Sequence, residues 1–332
     1  MTRAEEFQEL RPLLFSIAYR ILGSVSEAED AVQETWLRYE SSPAAPASAK
    51  AFLSAVVTRT SIDVLRSARV RREAYVGPWF PEPLLTDPYE DPERSAELAV
   101  SVSSAALLLL ERLTPLERAV FVLREVFGFS FPEIASAVGR SETACRQLGA
   151  RARHHMDEGR PRFEADRRER EKLAERFFGA FRDGDVDGLR ELLAADVQLV
   201  GDSGGKAPAL TRSIIGADKV ARVLASIFPW LLRIDVTLEP REVNGQPGAI
   251  FRDRDNNVLA TLTLDVLDGE IQMVRSMSNP DKLGHVGPIA DAWAVAREAK
   301  QARRPNGLTG SAHRTTILSS VPASSSKARS GS

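Results

Sequence analysis

LLLLERLTPLERAVFVLREVFGFSFPEIASAVGRSETACRQLGARARHHM, residues 107–156, is the stretch that decides the fold. Its pattern predicts a helix-turn-helix: an apolar helix, a short positioning helix, a glycine-centred turn and a helix with arginines on one side. The inward-facing positions of this last helix are Cys145, Leu148, Gly149, Ala152 and Met156. The outward-facing positions are Thr143, Arg146, Gln147, Ala150, Arg151 and His154. A small and basic face suits a DNA major groove, whereas an ordinary helix pair with solvated arginines is the alternative.

Helix boundaries in this stretch are marked by capping residues. Ser130 and Glu133 have capping-box spacing, and Pro132 falls in the first helical turn, where its missing N–H costs little. Gly139 suits the turn, and Ser141 is a favourable N-cap for the next helix. These signals predict two short helices that meet at Gly139.

Composition narrows the class of protein. A chain of 332 residues is long enough for two or three domains. One cysteine and four histidines make a disulfide framework or a metal site unexpected, and no cofactor or catalytic residue is predicted. The N-terminus lacks the pattern of a signal peptide, and no apolar run is long enough for a bilayer, so we expect a cytoplasmic protein without a membrane partner.

Charge is distributed unevenly along the chain. The formal net charge is −2, which is unusual for a DNA-binding protein. A basic segment is nevertheless formed by Arg59, Arg66, Arg69, Arg71 and Arg72. The segment around Asp30 and Glu34 is acidic instead. This separation predicts a protein that binds DNA weakly alone and holds a basic partner through its acidic face.

The chain divides into two helical parts and an α+β part. Phe7 to about Glu73 reads as helices, with Ser26 and Glu29 at the capping positions of the second one, and the proline-rich residues 77–92 read as a linker. After a charged helical stretch, residues 173–206 read as two helices followed by a strand. A further helix is expected at 213–228, and strands are expected at 234–238, 249–251, 258–266 and 271–276. Helices followed by an antiparallel meander indicate an α+β domain. The tail from about residue 300 is expected to be disordered.

Motifs in this order resemble a known family. The run ILGSVSEAEDAVQETWLR (21–38) closely resembles region 2 of sigma-70-family transcription initiation factors, and residues 107–156 resemble region 4. Having only these regions is typical of the extracytoplasmic-function group. WFPEPL (79–84), DSGGK (202–206) and NPDKL (279–283) resemble signature motifs of a subgroup with a fused SnoaL-like domain. Phe80 replaces the usual Leu, and Ser203 replaces a usual Gly, so Gly204 and Gly205 are expected to provide the positive φ angles.

The resemblance implies a multi-domain fold: two all-α sigma domains, a region 2 helical bundle and a region 4 helix-turn-helix, and an α+β SnoaL-like cone with a curved antiparallel sheet. The expected boundaries are 7–73 for region 2, 74–96 for the linker, 97–158 for region 4, 166–290 for the SnoaL-like domain and 300–332 for the tail.

The resemblance also assigns roles to residues. Those expected at the minus-thirty-five element are Ser141, Thr143, Arg146, Gln147, Arg151, Arg153 and His154. Those expected at the minus-ten element are Arg59, Arg66, Arg69, Arg71 and Arg72, with a flipped base of the melted non-template strand held by a loop just after Arg66. The resemblance implies that the protein binds core RNA polymerase at the β′ clamp and at the β flap. The residues expected to contact the β′ clamp are Asp30, Gln33, Glu34 and Leu37.

The SnoaL-like domain is expected to regulate the sigma domains in cis through an intramolecular interface. Its predicted residues are Trp79, Phe80, Pro81, Glu82, Pro83, Leu84, Asp202, Gly204, Gly205, Lys206, Asn279, Pro280, Asp281, Lys282 and Leu283. The simpler alternative is that WFPEPL packs only on its own domain.

Two other functions fit the sequence less well. A repressor that binds DNA alone has no use for a region 2 segment or a melting helix. An enzyme with a DNA-binding appendage would use carboxylates such as Asp202, Asp235 and Asp265, but no histidine lies between His155 and His285 to pair with them. The sequence leaves open whether the C-terminal domain binds a small molecule in its cup.

Overall fold

The computed structural model describes residues 2–43, 46–73, 75–89, 101–158, 167–208 and 212–302. The predicted disordered tail beyond residue 302 and the predicted linker residues 90–96 lie outside these ranges. Within them, no helix combines the length and the apolar character needed to cross a membrane.

Three helices form the N-terminal part: α1 (Arg3–Leu22), α2 (Val25–Glu40) and α3 (Ala49–Glu73). Gly23 ends α1 with φ of 70°, as its sequence position predicts. The N-cap of α2 is Ser24, which accepts a hydrogen bond from the Glu27 N–H, so the prediction of Ser26 was wrong. The hydroxyl of Ser26 lies 3.1 Å from the linker carboxylate of Glu82 instead.

The third helix also corrects one expectation. Its backbone stays helical past Arg66 to Glu73, so the predicted loop just after Arg66 does not exist. The apolar residues of this segment keep a helical period, and no glycine or proline interrupts it before Gly77. A flipped base therefore cannot be held by a loop at this position.

The helix-turn-helix consists of α4 (Ser104–Leu110), α5 (Pro115–Phe121) with a following π-helical turn (Val122–Val126), α6 (Phe131–Val138) and α7 (Glu142–Glu158). Ser130 and Glu133 form the predicted capping box, and Gly139 ends α6 with φ of 65°. The Ala144 N–H donates to the Ser141 hydroxyl at 3.2 Å. These local predictions are confirmed. The helix-turn-helix shares one hydrophobic core with the N-terminal helices, in which Leu53 and Val57 of α3 join Ile134 and Ala137 of α6.

The C-terminal part is an α+β domain. Its helices are α8 (Arg167–Asp183), α9 (Val186–Leu192), α10 (Ala217–Leu232) and α11 (Ala292–Ala302), with a short 3-10 turn at Pro280–Lys282. Its strands are β1 (Leu193–Asp202), β2 (Ile214–Ile215), β3 (Thr237–Val243), β4 (Gln246–Arg252), β5 (Val258–Leu267) and β6 (Glu270–Met277). The helix expected at 213–228 starts and ends about one turn later. The strand expected at 234–238 starts later because Asp235, with φ of 59°, lies in a turn.

The sheet has the order β2-β1-β6-β5-β4-β3. Strands β3 to β6 form the predicted antiparallel meander, but β1 lies parallel to β6, so the sheet is mixed rather than wholly antiparallel. Register shifts interrupt β1–β6, β4–β5 and β5–β6, and such bulges bend a sheet. One face packs on the helices through residues such as Leu199 and Leu264. The other face packs Ile250 and Met277 against Phe80 of the linker.

Candidate functional site

The three sequence motifs meet at one buried point, where the end of β1 and the 3-10 turn contact the linker. Asp202 accepts a hydrogen bond from the Phe80 N–H at 2.8 Å and pairs with the Lys282 ammonium at 2.7 Å. Lys282 also donates to the Phe80 carbonyl oxygen at 2.6 Å. We call this contact among Asp202, Lys282 and the Phe80 backbone the linker clamp. Two side chains of the C-terminal domain thus hold the main chain of the linker at Phe80.

The ion pair of the linker clamp is buried. The side chains of Lys282 and Asp202 are 9% and 0% exposed. The ammonium also lies 4.6 Å and 4.5 Å from the ring centroids of Tyr75 and Trp79, which favours a cation. Removing one partner of such a buried pair strands the other charge, which costs about 3–5 kcal/mol.

The glycines of DSGGK create room for the linker. Gly204 and Gly205 have φ angles of 56° and 74°, and Ser203 is not among the residues with positive φ, so the expected division is confirmed. A Cβ on Gly204 would lie 2.5 Å from the Asn279 side-chain nitrogen and 3.0 Å from the Tyr75 hydroxyl. Residue 204 is therefore a point of close approach as well as a turn.

Tyr75 was missed from the sequence but completes the clamp. Its hydroxyl donates to Asp202 and accepts from the Asn279 amide at 2.7 Å. Burial raises the pKa of Tyr75, and the hydrogen bond to Asp202 raises it further. The hydroxyl therefore remains a donor at neutral pH.

The same linker is fixed to the start of α2. The Glu82 carboxylate accepts from the N–H groups of Val25 and Ser26 at 2.8 and 3.1 Å, and from the Ser24 hydroxyl at 2.7 Å. The Glu82 N–H donates to the Gly23 carbonyl at 2.9 Å. A carboxylate at a helix N-terminus satisfies its free N–H groups and favours its dipole. WFPEPL thus contacts both the N-terminal helices and the C-terminal domain, and does not pack only on its own domain.

Asn244 joins three parts of the molecule and was not singled out from the sequence. Its amide nitrogen donates to the Tyr19 hydroxyl at 2.6 Å and to the Val102 carbonyl at 3.0 Å. Its side-chain oxygen accepts from the Leu84 N–H at 3.2 Å, and its backbone N–H donates to the Leu84 carbonyl at 2.7 Å. Burial raises the pKa of Tyr19, whose hydroxyl donates to the Glu82 carbonyl. The Asn-Gly pair at 244–245 signals a hairpin turn. Its burial against α1 has no local signal.

The remaining predicted interface residues divide by exposure. Those buried beside the clamp are Pro81, Pro83, Leu84 and Leu283. Lys206 and Asp281 form an ion pair whose side chains are 55% and 59% exposed. Pro280 opens the 3-10 turn. His285, also missed from the sequence, places its Nε2 atom 2.6 Å from the Pro83 carbonyl oxygen.

Helix α7 presents the predicted two faces. The residues predicted to face inward are buried or half-buried, and the outward-facing set, together with Ser141 and Arg153, is exposed. Its arginines are paired within the molecule: Arg146 with Glu142 at 3.0 Å and Arg151 with Glu117 at 3.0 Å. The Arg146–Glu142 pair is exposed on both sides and contributes only about 0–1 kcal/mol, so Arg146 can exchange this carboxylate for another anion at little cost. The Glu117 side chain is only 11% exposed.

The basic residues of α3 have different surroundings. Arg59 donates to the carbonyl oxygens of Ser136 and Ala137, at the end of α6, at 2.6 and 2.7 Å. Arg66 is exposed and pairs with Asp63. The side chains of Arg69, Arg71 and Arg72 lie outside the described part. We call the packing of α3 on α6, with Arg59 bound, the closed arrangement.

The acidic face of α2 is accessible. Asp30, Gln33 and Leu37 are exposed, and Glu34 is half-buried and pairs with Arg38 at 2.8 Å. Leu37 is 51% exposed. The four residues of the predicted polymerase contact are therefore accessible on one helix.

The three carboxylates considered for catalysis do not form a site together. Asp202 belongs to the linker clamp, and Asp265 pairs with Arg275 at 2.7 Å. Asp235 lies in the turn between α10 and β3. These three carboxylates therefore do not form an acid–base pair with one another.

Comparison with known proteins agrees with this architecture. Residues 7–71 match the family profile "Sigma-70 region 2", and residues 103–156 match "Sigma-70, region 4". The chain is similar to the ECF RNA polymerase sigma factor SigJ of Mycobacterium tuberculosis, at 37% identity over 292 residues, covering 83% of this chain and 92% of the relative. It also resembles the probable ECF sigma factor SigI of that organism, at 30% identity over 276 residues, covering 82% and 92%.

A solved structure extends the likeness to the C-terminal domain. The crystal structure of M. tuberculosis SigJ superposes with a TM-score of 0.66 and 33% identity, covering 86% of this chain and 100% of that one. The chain therefore belongs to the extracytoplasmic-function RNA polymerase sigma factors, alternative sigma factors that direct promoter recognition and transcription initiation. Within that family it has the two-region form with a fused α+β domain, as SigJ does.

Proposed function

We propose that the C-terminal domain regulates this sigma factor in cis by bracing regions 2 and 4 in the closed arrangement. The observation that carries the proposal is the linker clamp, because Asp202 and Lys282 hold Phe80 two residues before Glu82. Glu82 in turn caps α2, the helix that bears the proposed polymerase contact Asp30, Gln33, Glu34 and Leu37. The C-terminal domain is thus connected to the polymerase-binding helix by one short segment.

The closed arrangement is incompatible with reading both promoter elements. The elements are about 25 base pairs apart, or roughly 85 Å of B-DNA. A compact unit of about 150 residues has a radius of gyration of roughly 15 Å and does not span that distance. We propose that α7 reads the minus-thirty-five element and the basic end of α3 contacts the minus-ten strand. Both contacts then require α3 and α6 to separate, which also releases Arg59.

We call this regulation in cis the brace, and run-off transcription tests it. With core RNA polymerase and templates carrying a randomised promoter library, Lys282→Met should raise transcript yield at least about fivefold over the unaltered chain. Lys206→Met is the matched control, because its ion pair is exposed and contributes about 0–1 kcal/mol. With core polymerase present, energy transfer between fluorophores on regions 2 and 4 should be lower in Lys282→Met than in Lys206→Met or the unaltered chain.

Two results would overturn the brace. Unchanged yield and unchanged energy transfer in Lys282→Met would mean that the clamp does not hold the sigma regions together. A lower yield would mean that the C-terminal domain is needed for the active form.

We further infer that the chain is not an enzyme and acts in the cytoplasm, where it meets core polymerase. The first inference is supported by the separate placement of Asp202, Asp235 and Asp265. Turnover by the full chain of a substrate typical of SnoaL-type cyclases would contradict it.

A further inference from the structure

The C-terminal domain contains an apolar cavity of about 330 Å³ between the sheet, α10 and α11. Its lining includes Phe181, Leu224, Leu231, Phe251, Leu262 and Val295. Ser276 and Ser278 are the polar side chains among its lining residues, and none of those residues is charged. This volume is within the range of small-molecule pockets.

The lining selects one class of ligand. An ion in this cavity would lose its hydration without a charged partner, and even an unpaired polar group costs several kcal/mol to bury. An apolar body gains about 25 cal/mol for each Å² removed from water. The two serine hydroxyls offer hydrogen bonds to a single polar substituent. The cavity therefore suits a neutral and mostly apolar small molecule.

The cavity and the linker clamp lie on opposite faces of the same strand ends. Successive residues of a strand point to opposite faces of a sheet. Gly201 lines the cavity and Asp202 belongs to the clamp; Ser278 lines the cavity and Asn279 belongs to NPDKL. The N–H groups of Ser278 and Asn279 both donate to the Asp202 carbonyl, at 2.8 and 3.2 Å. A shift of either strand end moves both sites.

Helix α11 connects the cavity to the same loop. Ala292, Val295 and Ala296 of this helix form part of the lining. Between them, Trp293 is 50% exposed and donates its indole N–H to the Lys206 carbonyl of DSGGK at 2.9 Å. Displacement of α11 by a ligand would therefore pull on the loop that contacts the linker.

We propose that this cavity binds a neutral, mostly apolar small molecule and that its occupancy alters the linker clamp. The binding site stands on the cavity alone, whereas the effect on the clamp rests on the proposed brace. The two parts are separable because binding is measured without polymerase.

Binding is tested on the full chain with the neutral fluorophore phenylnaphthylamine. Its fluorescence should rise saturably, with one molecule bound per chain. Gly201→Leu should weaken binding at least about tenfold. A Cβ on Gly201 approaches no atom closer than the Ser276 carbonyl oxygen at 3.8 Å, and Gly201 is not at positive φ, so this variant fills the cavity without backbone strain.

Gly179→Leu is the matched control. A Cβ at Gly179 on α8 meets nothing within 4 Å, and this residue does not line the cavity, so binding should be unchanged. Ala296→Phe blocks the cavity from the α11 side and serves if Gly201→Leu unfolds at a lower temperature. Non-saturable binding, or equal binding by Gly201→Leu, Ala296→Phe and the unaltered chain, would overturn the site. Tighter binding after deletion of residues 303–332 would show that the tail fills the cavity, which also overturns it.

Coupling has its own readout. Phenylnaphthylamine should change run-off transcription by the unaltered chain but not by Lys282→Met, which lacks the clamp yet keeps the cavity. Saturable binding without any change in transcription would keep the binding site and overturn the coupling. If Lys282→Met transcribes like the unaltered chain but the cavity variants lose the fluorophore, the brace fails and the site stands.

Discussion

The linker clamp and the recognition helix both pair basic side chains with carboxylates, but in opposite surroundings. Lys282 and Asp202 are almost fully buried, whereas Arg146 and Glu142 are 60% and 47% exposed. A buried pair that loses one partner leaves a charge without water, while an exposed pair exchanges partners freely. The difference separates a contact that maintains the architecture from one that we propose is available to DNA.

Disrupting one side of the clamp should give the largest effect. Lys282→Met should lower the free energy of unfolding by about 3–5 kcal/mol, because Asp202 stays buried without its cation. The double variant Asp202→Asn with Lys282→Met should lose less, since no uncompensated charge remains. Chemical denaturation of both variants measures the comparison. A double variant as unstable as the single one would show that the charge pair is not what matters at this site.

Two glycine substitutions, Gly204→Ala and Gly139→Ala, extend the comparison of buried and exposed sites to the backbone. Both glycines have positive φ, so each alanine costs roughly 1–2 kcal/mol. A Cβ at Gly139 meets nothing within 4 Å, whereas one at Gly204 collides with Asn279. Gly204→Ala should therefore lose about 1–3 kcal/mol more free energy of unfolding. Equal losses by denaturant titration would mean that the DSGGK turn has room to move away from Asn279.

The exposed pair should give the smallest change in stability. Arg146→Ala should alter the free energy of unfolding by less than about 1 kcal/mol. It should nevertheless weaken promoter binding by roughly 1–3 kcal/mol without disturbing polymerase binding, because it removes a proposed base contact. Arg222→Ala, which breaks a similar exposed pair with Asp218, is the control. An unchanged footprint and transcript yield for Arg146→Ala would remove this residue from the interface.

Local signals carried most of what was predictable. The capping box at Ser130, the turn at Gly139 and the two faces of α7 depend on residues within a few positions of one another. The three motifs of the linker contact were identified by family resemblance, and the structure brings them together. What sequence reasoning missed is long-range. Asn244 bonds a tyrosine 225 positions away, and β1 pairs in parallel with a strand that follows much later in the chain.

A smaller error concerns the serine that caps the start of α2. Ser24 and Ser26 both have the side chain of an N-cap, and each is followed three residues later by a glutamate. The structure uses Ser24, whose hydroxyl accepts from the Glu27 N–H. Glu82 of the linker accepts from the N–H groups of Val25 and Ser26, the first residues of the helix, and so supports a helix that begins directly after Ser24. A rule confined to neighbouring residues has no access to that carboxylate.

The single hydrophobic core shared by α3 and α6 has a thermodynamic consequence for how this protein meets its polymerase. Pulling the two helices apart would wet apolar surface such as Val57 and Ile134, at about 25 cal/mol for each Å². Release of the clamp alone does not repay that cost. In the proposed opening, the polymerase must offer replacement surface as the helices part. Opening and docking would then form one exchange reaction, in which an internal partner is replaced by an external one.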